Sequence, residues 1–240
     1  MSDHLYELRT VGFTVLRGAL APERVVALRQ TIDRLLAEDD AEWGADTLAA
    51  IGQRGALRNL CESGEPFREL LSSFPAFPLL DALLGRDYIL HSYDSLVLFP
   101  GDGRFPWDFH TDVSPLGGVG FPADRTPSIN CLCYVDETTA VNGATWLIPG
   151  SHRSVMRDPA PEDLGVLATQ AVGQAGDVLV FDARIWHCAG ENRSALPRRL
   201  IKVMFCKPWL RPQMDYSRAV TPATMALLDD RVRRLLGVGA

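Results

Sequence analysis

The chain has 240 residues, enough for one substantial core, and its 47% hydrophobic and 22% charged residues describe an ordinary globular protein. A formal net charge of −6 supplies no basic face for phosphates, which argues against a sequence-independent nucleic-acid binder and against docking on an anionic membrane. No apolar run reaches the roughly 18 residues of a membrane-spanning helix, and Met1-Ser2-Asp3-His4 opens without a basic stretch followed by an apolar one, so the expected location is cytoplasmic.

Residues 11–20 read as a strand, and Pro22 sits where proline is tolerated in a first helical turn. The helix that follows buries Val25, Leu28, Ile32, Leu35 and Leu36, keeps Arg24, Arg29, Asp33 and Arg34 in water, and ends at Glu38-Asp39-Asp40. Short helices broken by Gly and Pro complete a helical layer over about 22–85, with Gly85 as its cap. From Tyr88 the residues turn β-type. Strands are expected at 88–99, 128–135, 144–148, 177–181, 185–188 and 200–206, with no βαβ alternation, which suggests a sandwich or barrel over about 88–206. Asn142-Gly143 between apolar runs is a hairpin signal. Residues 101–127 and 164–176 read as long loops closing over a site. A helix over about 221–237, capped by Thr221 with Pro222 in its first turn, ends the chain, carrying the stripe Met225, Leu228, Val232, Leu235 and Leu236 up to Gly237. With no internal repeat or linker, residues 1–240 are expected to form one domain.

Five cysteines, Cys61, Cys131, Cys133, Cys188 and Cys206, form an odd set without framework spacing, as expected for reduced thiols. Cys131-x-Cys133 is too sparse for a structural zinc site and reads as buried small residues.

The chemistry concentrates in Phe105-Pro106-Trp107-Asp108-Phe109-His110-Thr111-Asp112. In an extended chain the side-chain period of two sends His110 and Asp112 to one face. Ile185-Trp186-His187 offers a third ligand in a similar apolar setting. His-x-Asp followed much later by His is the pattern of the two-histidine, one-carboxylate facial triad that holds non-haem Fe(II) with positions open. Arg198 follows His187 by eleven residues, with Arg199 next. An arginine fork there suits a buried carboxylate, such as the far end of a chelating 2-oxoglutarate, in a way that lysine does not.

Two further segments carry a resemblance. Asn142-Gly143-Ala144-Thr145-Trp146-Leu147-Ile148-Pro149-Gly150-Ser151-His152, and Trp186-His187-Cys188-Ala189-Gly190-Glu191-Asn192-Arg193-Ser194 followed by Pro197-Arg198-Arg199, resemble the phytanoyl-CoA dioxygenase family of Fe(II)/2-oxoglutarate oxygenases, as does the strand and helix over 12–36. The resemblance covers nearly the whole chain. It implies a mainly β fold with flanking helices, a double-stranded β-helix or jelly-roll, cupin-like barrel. It also implies a dioxygenase that uses Fe(II), 2-oxoglutarate and O2 to hydroxylate an unactivated C–H of a small molecule, a specialised metabolite or amino-acid-like compound, with release of succinate and CO2. His110, Asp112 and His187 would be the metal ligands and Arg198 the 2-oxoglutarate partner. Related halogenases replace the carboxylate by a small residue, so the retained Asp112 disfavours halogenation.

Some positions stay open at this point. Family spacing selects Arg198, whereas strict alternation places Arg199 on the side of Ile201, Val203 and Phe205, the more apolar face of its strand. Ala189 stands where some members carry a serine that supports the co-substrate. Asn130 is either a contributor from the facing strand or a buried amide satisfying backbone groups. His152 and Ser151 suit a structural turn better than catalysis; His4 and His91 read as ordinary polar or core histidines; Trp107, Trp146 and Trp186 are pocket walls or simply core; Asp108 suits a solvated turn. Two other functions compete. One is a zinc-type hydrolase on the same triad, in which Arg198 and the family segments have no role, and the other is a non-catalytic ligand-binding barrel, which the complete ligand set disfavours.

Overall fold

Strand alternation decides the architecture of the computed structural model, which describes residues 1–103, 109–113, 125–153 and 166–238. The strands are β1 (Phe13–Leu16), β2 (Ala56–Leu57), β3 (Ile89–Leu98), β4 (Ser128–Tyr134), β5 (Thr145–Leu147), β6 (Thr169–Ala171), β7 (Val178–Asp182), β8 (His187–Cys188) and β9 (Arg198–Cys206). They form two antiparallel sheets, a large one in the order β1-β7-β4-β9-β3-β2 and a small one in the order β6-β5-β8.

Directly paired residues share a face, so the register sorts every side chain of the large sheet. Cys131, Cys133, Val178, Val180, Ile201, Val203 and Phe205 face one way and pack in one cluster with the helices. Those helices include α1 (Ser2–Thr10), α2 (Pro22–Trp43), α3 (Ala45–Ala50), α4 (Glu65–Ser72) and α5 (Phe77–Leu84). The rings of Phe74, Phe77 and Tyr88 lie 5.4, 6.1 and 5.6 Å from that of Phe205, which fastens the helical layer to β9. On the opposite face Leu132, Tyr134, Leu179, Phe181 and Leu200 form a second cluster with Ile185 and with Leu147 and Ala171 of the small sheet. The two sheets therefore face each other in jelly-roll fashion, with helices on the back of the larger one; among the described residues the strands do not close into one continuous barrel.

Several expectations need correction. The strands β2 and β6 and the helix α1 were not foreseen: β2 and β6 are too short to show a period, and β6 falls inside the stretch 164–176 read as a loop. The helix α2 runs through Glu38-Asp39-Asp40 to Trp43, because acidic residues on an exposed face do not stop a helix; Gly44 does, its N–H meeting the Asp40 carbonyl at 3.0 Å. Arg29 and Asp33 do not simply face water. Arg29 bonds Asp136 at 2.9 Å, and Asp33, although exposed, bonds Arg199 at 2.6 Å. Asn142-Gly143 makes no hairpin, since β4 and β5 belong to different sheets. Asn142 instead closes the crossing loop on the Thr139 N–H and the Glu137 carbonyl, both at 2.7 Å. The terminal helix is two short ones, Pro222–Ala226 capped by Thr221 and Asp230–Leu235 capped by Asp229, with Leu228, Val232, Leu235 and Leu236 still buried. The five cysteines are buried thiols outside any disulfide, and Cys131 and Cys133 lie on the helix-facing side. No helix among the described residues is long and apolar enough to cross a membrane.

One contact ties the amino-terminal strand to the sequence 148–152. Gly12 has φ +92°, and a Cβ there would lie 2.5 Å from Nδ1 of the buried His152 ring. Gly12→Ala is therefore expected to cost about 1–3 kcal/mol from backbone strain and crowding, read as a lowered urea midpoint. Adding His152→Ala removes the crowding, so the double variant should lose less than the two single losses together.

Candidate active site

The His110 to Asp112 stretch runs extended beside β8. His110 and His187 exchange backbone hydrogen bonds, at 3.0 and 2.9 Å, and the Asp112 N–H donates to the Ala183 carbonyl at 2.9 Å. The period of two then sends both side chains toward His187, as the sequence requires. Ligand atoms of His110, Asp112 and His187 all lie within 4.8 Å of one another, with His110 Nε2 3.9 Å and His187 Nε2 3.6 Å from the Asp112 carboxylate.

Two of the three, His187 and Asp112, are held from behind. His187 Nδ1 lies 3.0 Å from the Ile185 carbonyl, which can only accept, so Nδ1 carries the proton and Nε2 presents its lone pair to the site. The His187 ring also packs edge-on against Phe181, with centroids 4.7 Å apart. Burial drives its pKa down to about 4 against the pull of Asp112, so the imidazole is neutral at pH 7, the state a metal needs. Asn130 donates from Nδ2 to Asp112 Oδ2 at 2.7 Å, and Lys202 Nζ lies 3.9 Å from Oδ1. Burial pushes the Asp112 carboxyl up, but His187, Lys202, the Asn130 amide and His110 outweigh it and hold it below the usual carboxylate range. Two imidazoles and one carboxylate on a single patch fit a first-row divalent ion and leave it unsaturated.

Arg198 and Arg199 separate cleanly. Arg199 stands on the helix-facing side with Ile201 and Val203 and is fully engaged, bonding Asp33 at 2.6 Å and Asp136 at 3.0 Å. Arg198 faces between the sheets and is 2% exposed. Its Nη2 donates to the Gly143 carbonyl at 2.9 Å and its Nε to that of Asn142 at 3.2 Å, while Nη1 has no partner among the described residues. Burial drives the Arg198 pKa down to about 10, still far above neutrality, so a full charge with one open donor remains in the interior. Gly143 is needed for this cradle: its φ is +89°, and a Cβ would lie 2.6 Å from Leu98 and 2.7 Å from the Gly190 carbonyl. The Asn-Gly pair thus serves the arginine rather than a hairpin.

The comparisons with known proteins agree with this geometry. The sequence profile of the family described as Phytanoyl-CoA dioxygenase (PhyH) matches residues 8–200. The chain belongs to the phytanoyl-CoA dioxygenase family. It is accordingly a 2-oxoglutarate-dependent dioxygenase. An uncharacterised protein of Mycobacterium tuberculosis, Rv1501, is 30% identical over 238 residues, covering 96% of this chain and 84% of its own. The ectoine dioxygenase of Nocardia farcinica is 26% identical over 261 residues, covering 92% of this chain and 86% of its own. Among solved structures, HygX of Streptomyces hygroscopicus, with nickel and 2-oxoglutarate bound, superposes with a TM-score of 0.71 at 15% identity, over 89% of this chain and 90% of that one.

Within this phytanoyl-CoA dioxygenase family member, the remaining candidates fall as follows. Asn130 turns out to support Asp112 directly. Lys202, beside Asp112, was not singled out from the sequence, although its even spacing from Arg198 marks it as facing the same side. His91, read as an ordinary histidine, lies close enough to Lys202 and Asp112 to feel both charges. His4 bonds Thr14 at 2.8 Å, and Ser151 accepts the Trp186 N–H at 2.9 Å. Trp146 does not wall the site: its neighbour Leu147 points into the inter-sheet cluster, which leaves Trp146 on the outer face. Trp107 and Asp108, and residues 114–124 of the expected loop, lie outside the described residues.

Proposed function

We propose that this protein hydroxylates an unactivated C–H of a small molecule, with Fe(II) held by His110, Asp112 and His187 and with 2-oxoglutarate anchored by Arg198. The observation that carries this reading is the pairing of a three-residue cluster able to hold a metal with a buried arginine whose Nη1 has no partner among the described residues. Iron, 2-oxoglutarate and O2 together supply the oxidising power, and succinate and CO2 leave as by-products. The chain's own part is to hold His187 in the correct tautomer, to fix Asp112 through Asn130, and to offer Arg198 Nη1 to the far carboxylate. The bound nickel and 2-oxoglutarate of HygX support the same cofactor pair here, with nickel standing in for iron. A zinc-type hydrolase on this triad leaves the buried Arg198 without purpose, and Asp112 argues against halogenation. Helices packed on the back of the large sheet, which carries Arg198 and Asn130 toward the small sheet's His187, support a single working unit across residues 1–240.

Anaerobic addition of Fe(II) and then 2-oxoglutarate to the apo protein is expected to give a visible charge-transfer band. A folded protein that gives no band would sink the reading.

A further inference from the structure

The inner face of the large sheet is not uniformly apolar. In the pairing register Ser92, Met204 and Asn130 form one row across β3, β9 and β4, and Asp94, Lys202 and Leu132 form the next. Ser92 is 1% exposed and Asn130 2%, yet Ser92 Oγ and Asn130 Oδ1 have no hydrogen-bond partner among the described residues. Buried polar atoms are seldom left so, and two of them one row from Lys202, on either side of Met204, point to a partner the described residues do not supply.

The charges tell the same story. Once the site is loaded as proposed above, the two charges of the metal and that of Arg198 are offset by Asp112 and by the two carboxylates of 2-oxoglutarate. Asp94, also on the inner face and opposite Lys202, feels the charge of both cations but has Arg58 Nη1 beside it at 3.4 Å, so one positive charge remains over. Lys202 is left over. Its side chain is mostly buried, 19% exposed, and the carboxylate within 4 Å of its Nζ is that of Asp112 at 3.9 Å, which already serves the metal cluster.

We propose that Lys202 binds a carboxylate of the substrate, with Ser92 and Asn130 hydrogen-bonding the adjoining polar groups, so that this dioxygenase acts on a small organic acid. The assignment rests on the function proposed above. One unmatched positive charge suits a monoanion, whereas a phosphate monoester with its second charge would leave the pocket net negative. A substrate anchored at Lys202 lies beside Asp112, and thus beside the metal, so its acid group fixes which carbons come within reach.

The test measures binding by calorimetry on anaerobic protein loaded with Fe(II) and 2-oxoglutarate. The probes are matched pairs: octanoate and octanamide, benzoate and benzamide, N-acetylleucine and its amide. Acids are expected to bind and their amides to bind about 10- to 100-fold more weakly, the range lost with a charge-assisted hydrogen bond. Lys202→Met should erase that preference, and Lys202→Arg should keep much of it. Amides binding as well as acids, Lys202→Met binding acids as tightly as the unmodified protein, or no acid binding at all would overturn the proposal. So would loss of the 2-oxoglutarate band in Lys202→Met, which would make Lys202 a co-substrate residue. If the unmodified protein never forms that band the hydroxylase reading falls, while an acid preference lost in Lys202→Met would still sustain the role of Lys202.

Discussion

Asp112→Ala is expected to abolish succinate formation and to weaken Fe(II) binding by more than the roughly 10–100-fold that loss of a supporting residue costs. The carboxylate is the sole anionic ligand of the cluster, so its removal leaves two neutral imidazoles to hold a divalent ion. The change reaches further than the metal. The Asn130 amide, at 2.7 Å, loses its acceptor, and Lys202, at 3.9 Å, loses its nearest counter-charge. Two buried donors without acceptors should lower the stability of the apo protein by about 1–3 kcal/mol, visible in urea unfolding. Full succinate turnover by folded Asp112→Ala would remove Asp112 from the metal site. Asp112→Asn separates the two effects, because the amide retains an acceptor for Asn130 but not the charge.

Arg198→Lys is expected to raise KM for 2-oxoglutarate by about 10- to 100-fold and to leave Fe(II) affinity nearly unchanged. The reason is geometric. The guanidinium bonds the carbonyls of Asn142 and Gly143 through Nε and Nη2 and still has Nη1 to offer. A single ammonium cannot reach both carbonyls and keep a planar face toward a carboxylate. Steady-state kinetics with 2-oxoglutarate varied, beside metal titration, separates co-substrate binding from metal binding. Arg199→Lys is the control. It should lower stability through its contacts with Asp33 and Asp136 while leaving that KM alone; an equal rise in KM would reverse the assignment of the two arginines.

The convergence of His110, Asp112 and His187 was legible because its information is local. His110 and Asp112 need only an extended backbone to converge, and the long apolar strands β3, β4 and β9 announce themselves by composition. What escaped was set by tertiary pairing. The strand β2 exists because the longer β3 holds it and β6 because β5 pairs with it, and the Asn142-Gly143 turn that crosses between the sheets gives its carbonyls to Arg198. The choice between Arg198 and Arg199 required knowing which apolar face lies under helices, since both faces of β9 are buried. Lys202 was passed over for a related reason: a single lysine in an apolar strand gains meaning only when Asp112, on a distant segment, is placed next to it.

The back-to-back placement of Arg198 and Arg199 also bears on how the chain finds its native pairing. A one-residue slip of β9 would turn every side chain over. It would carry Arg199 into the pocket, push Arg198 and Lys202 against the helices, and leave Asp33 and Asp136 without the guanidinium that bridges them. The ion pairs on the outer surface of the sheet thus proofread the strand from behind. A chain that satisfies them has, by the same alignment, already turned Arg198 and Lys202 toward the space between the sheets.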